Sequence, residues 1–218
     1  MLKAVIFDMD GVVVDTEPLH YKAYHQMFDD VNINVDEALY ASFTGQSTQA
    51  ICQRLCAHFH LEDAPERLVQ LKRKHFEYLF DHDESLTLID GVRERIEEYY
   101  EHGITLVLAS SASMPNINRV FKRFDLDRYF KAKLSGADLS KSKPHPQIFI
   151  NAAKASGYTK KECIVIEDST NGIKAAHDAG IYCVGFKSPH SSGQDYQLAD
   201  KVITDFKEIT YEKLQYMS

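Results

Sequence analysis

Ala4-Val5-Ile6-Phe7-Asp8-Met9-Asp10-Gly11 decides the fold: a short apolar run of β type ends abruptly in two carboxylates spaced i, i+2. A strand buried on both faces reads as a near-continuous apolar run rather than an alternating one. Open parallel α/β sheets place their ligands in the crevice outside the carboxyl ends of the strands. Asp8 is therefore expected at such a crevice with its charge towards a ligand. Gly11 permits the chain to turn at once, so that Asp10 can face the same ligand, a hard cation together with a phosphate. Taken alone, Asp-x-Asp serves equally as a helix N-cap or an Asx turn.

Other motifs are excluded directly. An EF-hand loop starting at Asp8 needs Gly at its sixth position and Glu at its twelfth, where this chain has Val13 and Leu19. No G-x-x-x-x-G-K-[ST], G-x-G-x-x-G or G-x-S-x-G occurs, so a P-loop, the usual dinucleotide site and a nucleophile elbow are unsupported.

The 218 residues, 44% of them hydrophobic, suffice for a large core with a smaller insert. A formal net charge of −7 and the absence of a long Lys/Arg run argue against nucleic-acid and anionic-membrane surfaces. The partner expected is a small molecule. The amino terminus enters the apolar strand without a signal peptide or membrane span, which reads as cytoplasmic. Cys52, Cys56, Cys163 and Cys183 form no C-x-x-C and read as reduced thiols.

Helical amphipathic patterning covers 20–28, 49–59 and 65–80 without a convincing strand. Beyond Glu84 the pattern alternates: helix 92–102, strand 104–109, helix 114–121, strand near Lys133, helix 146–156, strand 163–166, helix 172–179, strand 182–186. Repeated βα units predict a Rossmann-like, doubly wound parallel sheet. The predicted α/β core is 1–16 and 84–218, with an α-helical cap inserted at 17–83. Polar stretches 15–18 and 81–85 read as linkers and suggest a hinge, and 188–194 as a surface loop.

Three further strand ends carry chemistry. Strand 104–109 runs into Ser110 and Ser111, a hydroxyl and backbone amides suited to phosphate oxygens, although Ser110 or Ser113 would serve equally as a helix cap. Lys143, followed by Pro144 and Pro146, sits where a rigid segment can aim an ammonium at a point charge. Strand 163–166 ends in Glu167-Asp168-Ser169. Two acidic strand ends that converge favour Mg²⁺, which takes a few carboxylates and leaves positions for water and phosphate.

With these residues in view, the chain resembles the haloacid dehalogenase superfamily, in particular its helical-capped phosphatases and β-phosphoglucomutase-like members. The resemblance rests on Asp8-Met9-Asp10-Gly11-Val12-Val13-Val14-Asp15-Thr16-Glu17-Pro18, Ser110, Lys143-Pro144 and Glu167-Asp168-Ser169-Thr170-Asn171-Gly172. It implies Asp8 as nucleophile, Asp10 as general acid and base, and Mg²⁺ held by Asp8, the Asp10 carbonyl and Asp168, with Glu167 direct or through water. Ser110, Ser111 and Lys143 would hold the phosphoryl group. Thr16 and His20 near the hinge, and Gly45 in the cap, would contribute to closure and substrate contact; a buried or solvated histidine is the other reading of His20.

Asp10 separates phosphoryl-transferring members from dehalogenase-type ones. In the mutases a cap Lys-Gly pair followed by Arg faces the non-transferring phosphate; here Thr44 and Thr48 stand at those positions. Ser111 to Pro115 likewise offers no Lys or Asn. A bisphosphorylated intermediate would lack counter-charge, and the expected function is a Mg²⁺-dependent phosphatase of a small phosphorylated metabolite, a sugar phosphate by preference. The alternatives are a phosphohexomutase, a pyrophosphatase or a non-catalytic binding module. Oligomeric state is not written in these residues.

Overall fold

The structure, a computed structural model, describes residues 1–137, 139–188 and 193–217. Residues 189–192 of the stretch read as a surface loop lie outside the described residues. Among the described residues, β1 (Ala4–Phe7) is followed by α1 (Glu17–Asp30), α2 (Glu37–Ala41), α3 (Thr48–Phe59) and α4 (Pro65–His82). The alternating part comprises α5 (Val92–Glu101), β2 (Thr105–Ser110), α6 (Met114–Arg123), β3 (Phe130–Ser135), α7 (Gln147–Ser156), β4 (Cys163–Glu167), α8 (Thr170–Ala179), β5 (Tyr182–Phe186), β6 (Lys201–Ile203) and α9 (Tyr211–Leu214).

The strands form one sheet of order β3-β2-β1-β4-β5-β6, parallel at every pairing. The chain winds outward in one direction through β2 and β3 and in the other through β4, β5 and β6. The junction of β1 with β4 is therefore the topological switch point, where such sheets open a crevice. Alternation along β1 sends Val5 and Phe7 into the core on one face and Ala4 and Ile6 into the core on the other. This explains the unbroken apolar run: the central strand is covered on both sides.

The helices before α5 gather a core of their own around Tyr24, Met27, Phe28, Phe43, Leu55 and Leu68. It is not isolated from the sheet. Leu19, Ala23, Phe76 and Phe80 belong to the same buried cluster as Phe7 and Val14. The polar stretches read as linkers are also more structured than expected. Thr16 is fully buried, Glu17 and Pro18 already lie in the first turn of α1, and α4 continues to His82. Proline is pre-organised for a first helical turn, so Pro18 starts the helix earlier than the apolar periodicity indicates. The short α2 and β6 escaped the pattern because five and three residues are too few to repeat a helical or strand period.

All four cysteines are free. No helix among the described residues is long and apolar enough to cross a membrane.

Candidate active site

At the end of β1 the chain folds back on itself: the N–H groups of Val13 and Val14 donate to the Met9 carbonyl at 2.8 and 3.1 Å, and Gly11 N–H donates to Val14 O at 2.9 Å. Gly11 adopts φ +81°, and a Cβ there would lie 2.3 Å from Asp168 Oδ2. Only glycine combines that backbone with that approach. The turn leaves Asp8 at the strand end, with its N–H bonded to Ile166 O of β4 at 3.0 Å, and brings Asp10 to the same cleft.

Asp8, Glu167 and Asp168 are 7%, 0% and 2% exposed, and each offers a carboxylate oxygen within 4.8 Å of the other two. Lys143, in the segment between β3 and α7, reaches into this cluster. Its Nζ donates to Asp8 Oδ1 at 2.5 Å, Glu167 Oε1 at 2.7 Å and Ala109 O at 3.2 Å. The second Glu167 oxygen accepts from the N–H and hydroxyl of Ser169 at 2.9 and 3.0 Å, while Ser169 Oγ caps α8 by accepting from Gly172 N–H at 3.0 Å. Three buried carboxylates thus face one ammonium. Burial pushes the Asp8 carboxyl up to about 8 against the pull of Lys143, with Glu167 and Asp10 adding repulsion. Burial alone would lower Lys143, but Asp8 and Glu167 raise it above the ordinary lysine value. The cluster is short of positive charge, and its donors are hard oxygens; both properties suit a divalent cation of the Mg²⁺ kind.

Asp10 belongs to a second network. Its Oδ1 accepts a hydrogen bond from the Thr16 hydroxyl and lies 3.2 Å from His20 Nε2. His20 Nδ1 is 2.7 Å from Lys72 Nζ, and the imidazole stacks on Phe76 at 4.4 Å between centroids. An ammonium can only donate, so Nδ1 accepts and Nε2 carries the proton towards Asp10. Burial and Lys72 both lower His20, consistent with that neutral tautomer. Burial raises Asp10, but His20, Thr16 and Lys72 together outweigh it and hold Asp10 below the usual carboxylate value.

The predicted residues separate into groups. Asp8, Glu167, Asp168 and Lys143 converge, and Thr16 and His20 both contact Asp10. Ser110 is fully buried, and its hydroxyl accepts from Ala112 N–H at 3.0 Å. Its neighbour Ser111 lines the cleft and donates to Gly45 O at 2.8 Å. Gly45, at φ +79°, sits where a Cβ would meet Ser169 Oγ at 2.3 Å, and Asn171 Nδ2 donates to Thr44 O at 2.7 Å. The loop before α3 therefore rests on the sheet side.

Sequence reasoning missed Lys72, Arg73, Asn116 and Arg119, all of which line the cleft, Lys72 with its ammonium turned to His20. One signal was available for Lys72: it interrupts the stripe Leu68, Phe76, Phe80 at four-residue spacing, and at 3% exposure it is buried with that stripe. The expectation of missing counter-charge rests only on the stretches around Gly45 and after Ser110. Arg73 and Arg119 come from α4 and α6, outside the stretches where cations were sought, and both line the cleft.

A family model described as haloacid dehalogenase-like hydrolase matches residues 5–186. The chain belongs to this family. It is 32% identical over 180 residues to the phosphorylated carbohydrates phosphatase of Thermotoga maritima, covering 83% of this chain and 82% of that protein. It is 28% identical over 218 residues to the β-phosphoglucomutase of Bacillus subtilis, covering 98% and 94%. The crystal structure of a β-phosphoglucomutase from Clostridium difficile superposes with a TM-score of 0.87 at 26% identity, covering all of this chain and 97% of the other. This haloacid dehalogenase-like hydrolase thus sits in the β-phosphoglucomutase-like branch, among phosphatases and phosphomutases of sugar phosphates.

Proposed function

We propose that the enzyme is a Mg²⁺-dependent phosphatase of a small phosphorylated metabolite, a sugar phosphate, acting through an aspartyl phosphate on Asp8. The observation that carries this reading is the pairing of two differently tuned aspartates in one cleft: Asp8 against Lys143 and two acids, Asp10 against Thr16 and His20. Asp8, at the strand end beside an ammonium and two further acids, is placed as nucleophile, and Asp10, whose oxygen is held by a hydroxyl and an imidazole, is placed as proton carrier.

An Asp8 oxygen attacks phosphorus as the bond to the leaving oxygen breaks, and Asp10 protonates that oxygen. Water then attacks the aspartyl phosphate, Asp10 takes its proton, and the Asp8 carboxylate is released with inorganic phosphate. In the free cleft Asp10 is held low, so the charge of the incoming phosphate supplies the upward push that lets it carry a proton. Lys143 keeps the Asp8 oxygen in place and offers charge to the phosphoryl oxygens, with Ser110 and Ser111 backing the group at the end of β2. Asp8, Asp168 and the Asp10 carbonyl would hold Mg²⁺, with Glu167 direct or through water, and the ion would supply charge for the transferring phosphoryl. The helical insert at 17–83 acts as the cap over the core at 1–16 and 84–218, and Thr16, His20 and Gly45 link closure to the chemistry.

A phosphomutase is the second reading, favoured by Arg73 and Arg119 in the cleft and by the mutase relatives. The test is phosphate release across a panel of phosphorylated metabolites, with Mg²⁺ and with EDTA, while β-glucose 1-phosphate is assayed for glucose 6-phosphate. Metal-dependent release without isomerisation is expected. Isomerisation would replace hydrolase by mutase, and silence throughout would overturn both.

A further inference from the structure

Arg73 is a cation at the cleft with no hydrogen bond or ion pair to another described residue. It is exposed on α4, one position after the buried Lys72. Glu77, four residues on, is the acid its helix would offer. The Glu77 carboxylate is instead 3.3 Å from Arg119 Nη1 of α6, across the cleft. Asp81, one turn further, also faces Arg119, at 3.7 Å from its Nε. Arg119 is thereby engaged by two acids of α4, whereas Arg73 pairs with none of the described residues, with Glu17 of α1 as the other helical acid lining the cleft.

A second observation lies on the facing helix. Asn116, one turn before Arg119, lines the same cleft, and its Oδ1 is buried without a partner among the described residues. A buried amide edge without a partner is costly. Because amide O and N positions are assigned from their contacts, the same edge can present NH₂ donors instead. Arg73 and Asn116 are carried into the cleft by α4 and α6, whereas Asp8 and Asp168 enter it from the ends of β1 and β4.

We propose that Arg73 is a specificity-determining residue: its guanidinium, assisted by Asn116, receives an anionic group at the end of the substrate remote from the transferring phosphoryl. That group is a carboxylate or a second phosphate, both of which match the guanidinium fork. The preferred substrate is then a phosphorylated sugar acid or a sugar bisphosphate rather than a neutral polyol phosphate. This rests on the phosphatase reading, whose own failure is total loss of turnover.

The test uses a matched pair of probes, 6-phosphogluconate and sorbitol 6-phosphate, which have the same chain length and differ in a distal carboxylate against a hydroxyl. Glucose 1,6-bisphosphate is the arm for a second phosphate. kcat/KM and, by calorimetry, Kd are measured for the native enzyme, Arg73→Gln, Arg73→Glu and Arg67→Gln, the last an exposed α4 arginine paired with Asp63 and outside the cleft. The native enzyme is expected to favour at least one anionic-ended probe. Arg73→Gln should lower that preference by about tenfold, the worth of one charged hydrogen bond, Arg73→Glu should reverse it, and Arg67→Gln should leave the ratio as it was. Which anionic probe responds tells carboxylate from phosphate. A native preference for the polyol phosphate, or equal effects of Arg73→Gln and Arg67→Gln, would overturn the proposal. If no probe is hydrolysed, the phosphatase reading fails and the Kd ratios still decide this one.

Discussion

On the sheet side of the cleft, Lys143 bonds both Asp8 and Glu167, and Asp168 lies beside these acids, all with exposures of 7% or less. On the helical side, Lys72, Arg73, Asn116 and Arg119 come from two helices far apart in sequence, and Arg73 and Arg119 keep contact with solvent. The first arrangement is a rigid charge cluster suited to one phosphoryl group. The second is a wall whose charges depend on which acid faces which base, and it can be retuned without disturbing the sheet. The difference suggests where chemistry ends and substrate choice begins.

The comparison breaks most sharply at Asp8. Asp8→Asn removes the nucleophile and should reduce phosphate release by at least about 10⁴-fold, measured on the best substrate of the panel. Asp10→Asn removes the proton carrier and should cost about 10²- to 10⁴-fold, with the smaller loss on substrates whose leaving group needs no proton, such as para-nitrophenyl phosphate. Equal losses in kcat/KM on both substrate types would contradict the acid role given to Asp10.

Lys143→Met leaves Asp8 and Glu167 without their shared cation and should destabilise the fold by roughly 3–5 kcal/mol, read by urea unfolding in EDTA. The same cluster makes a pH prediction. Asp8 is raised to about 8 in the folded state from 3.8, so its favourable contribution is fully present below pH 3.8 and is lost as pH rises through 8. Native protein in EDTA should lose stability over that interval, on the order of a few kcal/mol, and Mg²⁺ should flatten the loss. A stability that rises with pH across the same interval would show that the carboxylates are already compensated.

The helical side sharpens the contrast with a smaller effect of opposite sign. Burial lowers Lys72 to about 8, so its charge is carried at a cost below pH 8 that is relieved as pH rises towards 10.5. Lys72→Met should therefore be more stable than the native protein at pH 7, by at most about 3 kcal/mol, and the gain should shrink by pH 10. Turnover should fall about tenfold, the usual loss for a group that orients another rather than reacting. A variant less stable at pH 7 would mean that the contacts of Lys72 with His20 and the rings of Tyr24 and Phe76 outweigh its desolvation.

The sheet side was legible because its chemistry is local to strand ends. Asp8 follows its apolar strand directly, Glu167 closes β4 and Asp168 follows it, and Ser110 closes β2. Each announces itself as a polar residue where an apolar run stops. Thr16 and His20 followed from the same N-terminal motif. Arg73 and Arg119 carried no such mark, since an arginine on an amphipathic helix reads as a solvated face, and only the packing of α4 across from α6 turns both towards one cleft. Residues that the fold brings in from α4 and α6 are therefore invisible in the short stretches around Gly45 and after Ser110. Asn116 was equally silent, because what distinguishes it is an unsatisfied oxygen, a property of the folded state alone.

The most direct test of the central claim is the partition of phosphoryl groups between water and methanol. The enzyme is incubated with Mg²⁺, a fixed fraction of methanol and several substrates with different leaving groups, and the ratio of methyl phosphate to inorganic phosphate is measured by ³¹P NMR. A common phosphoryl group on Asp8 predicts one ratio for every substrate. Ratios that change with the leaving group would contradict the aspartyl phosphate and point to direct attack of water on the bound ester.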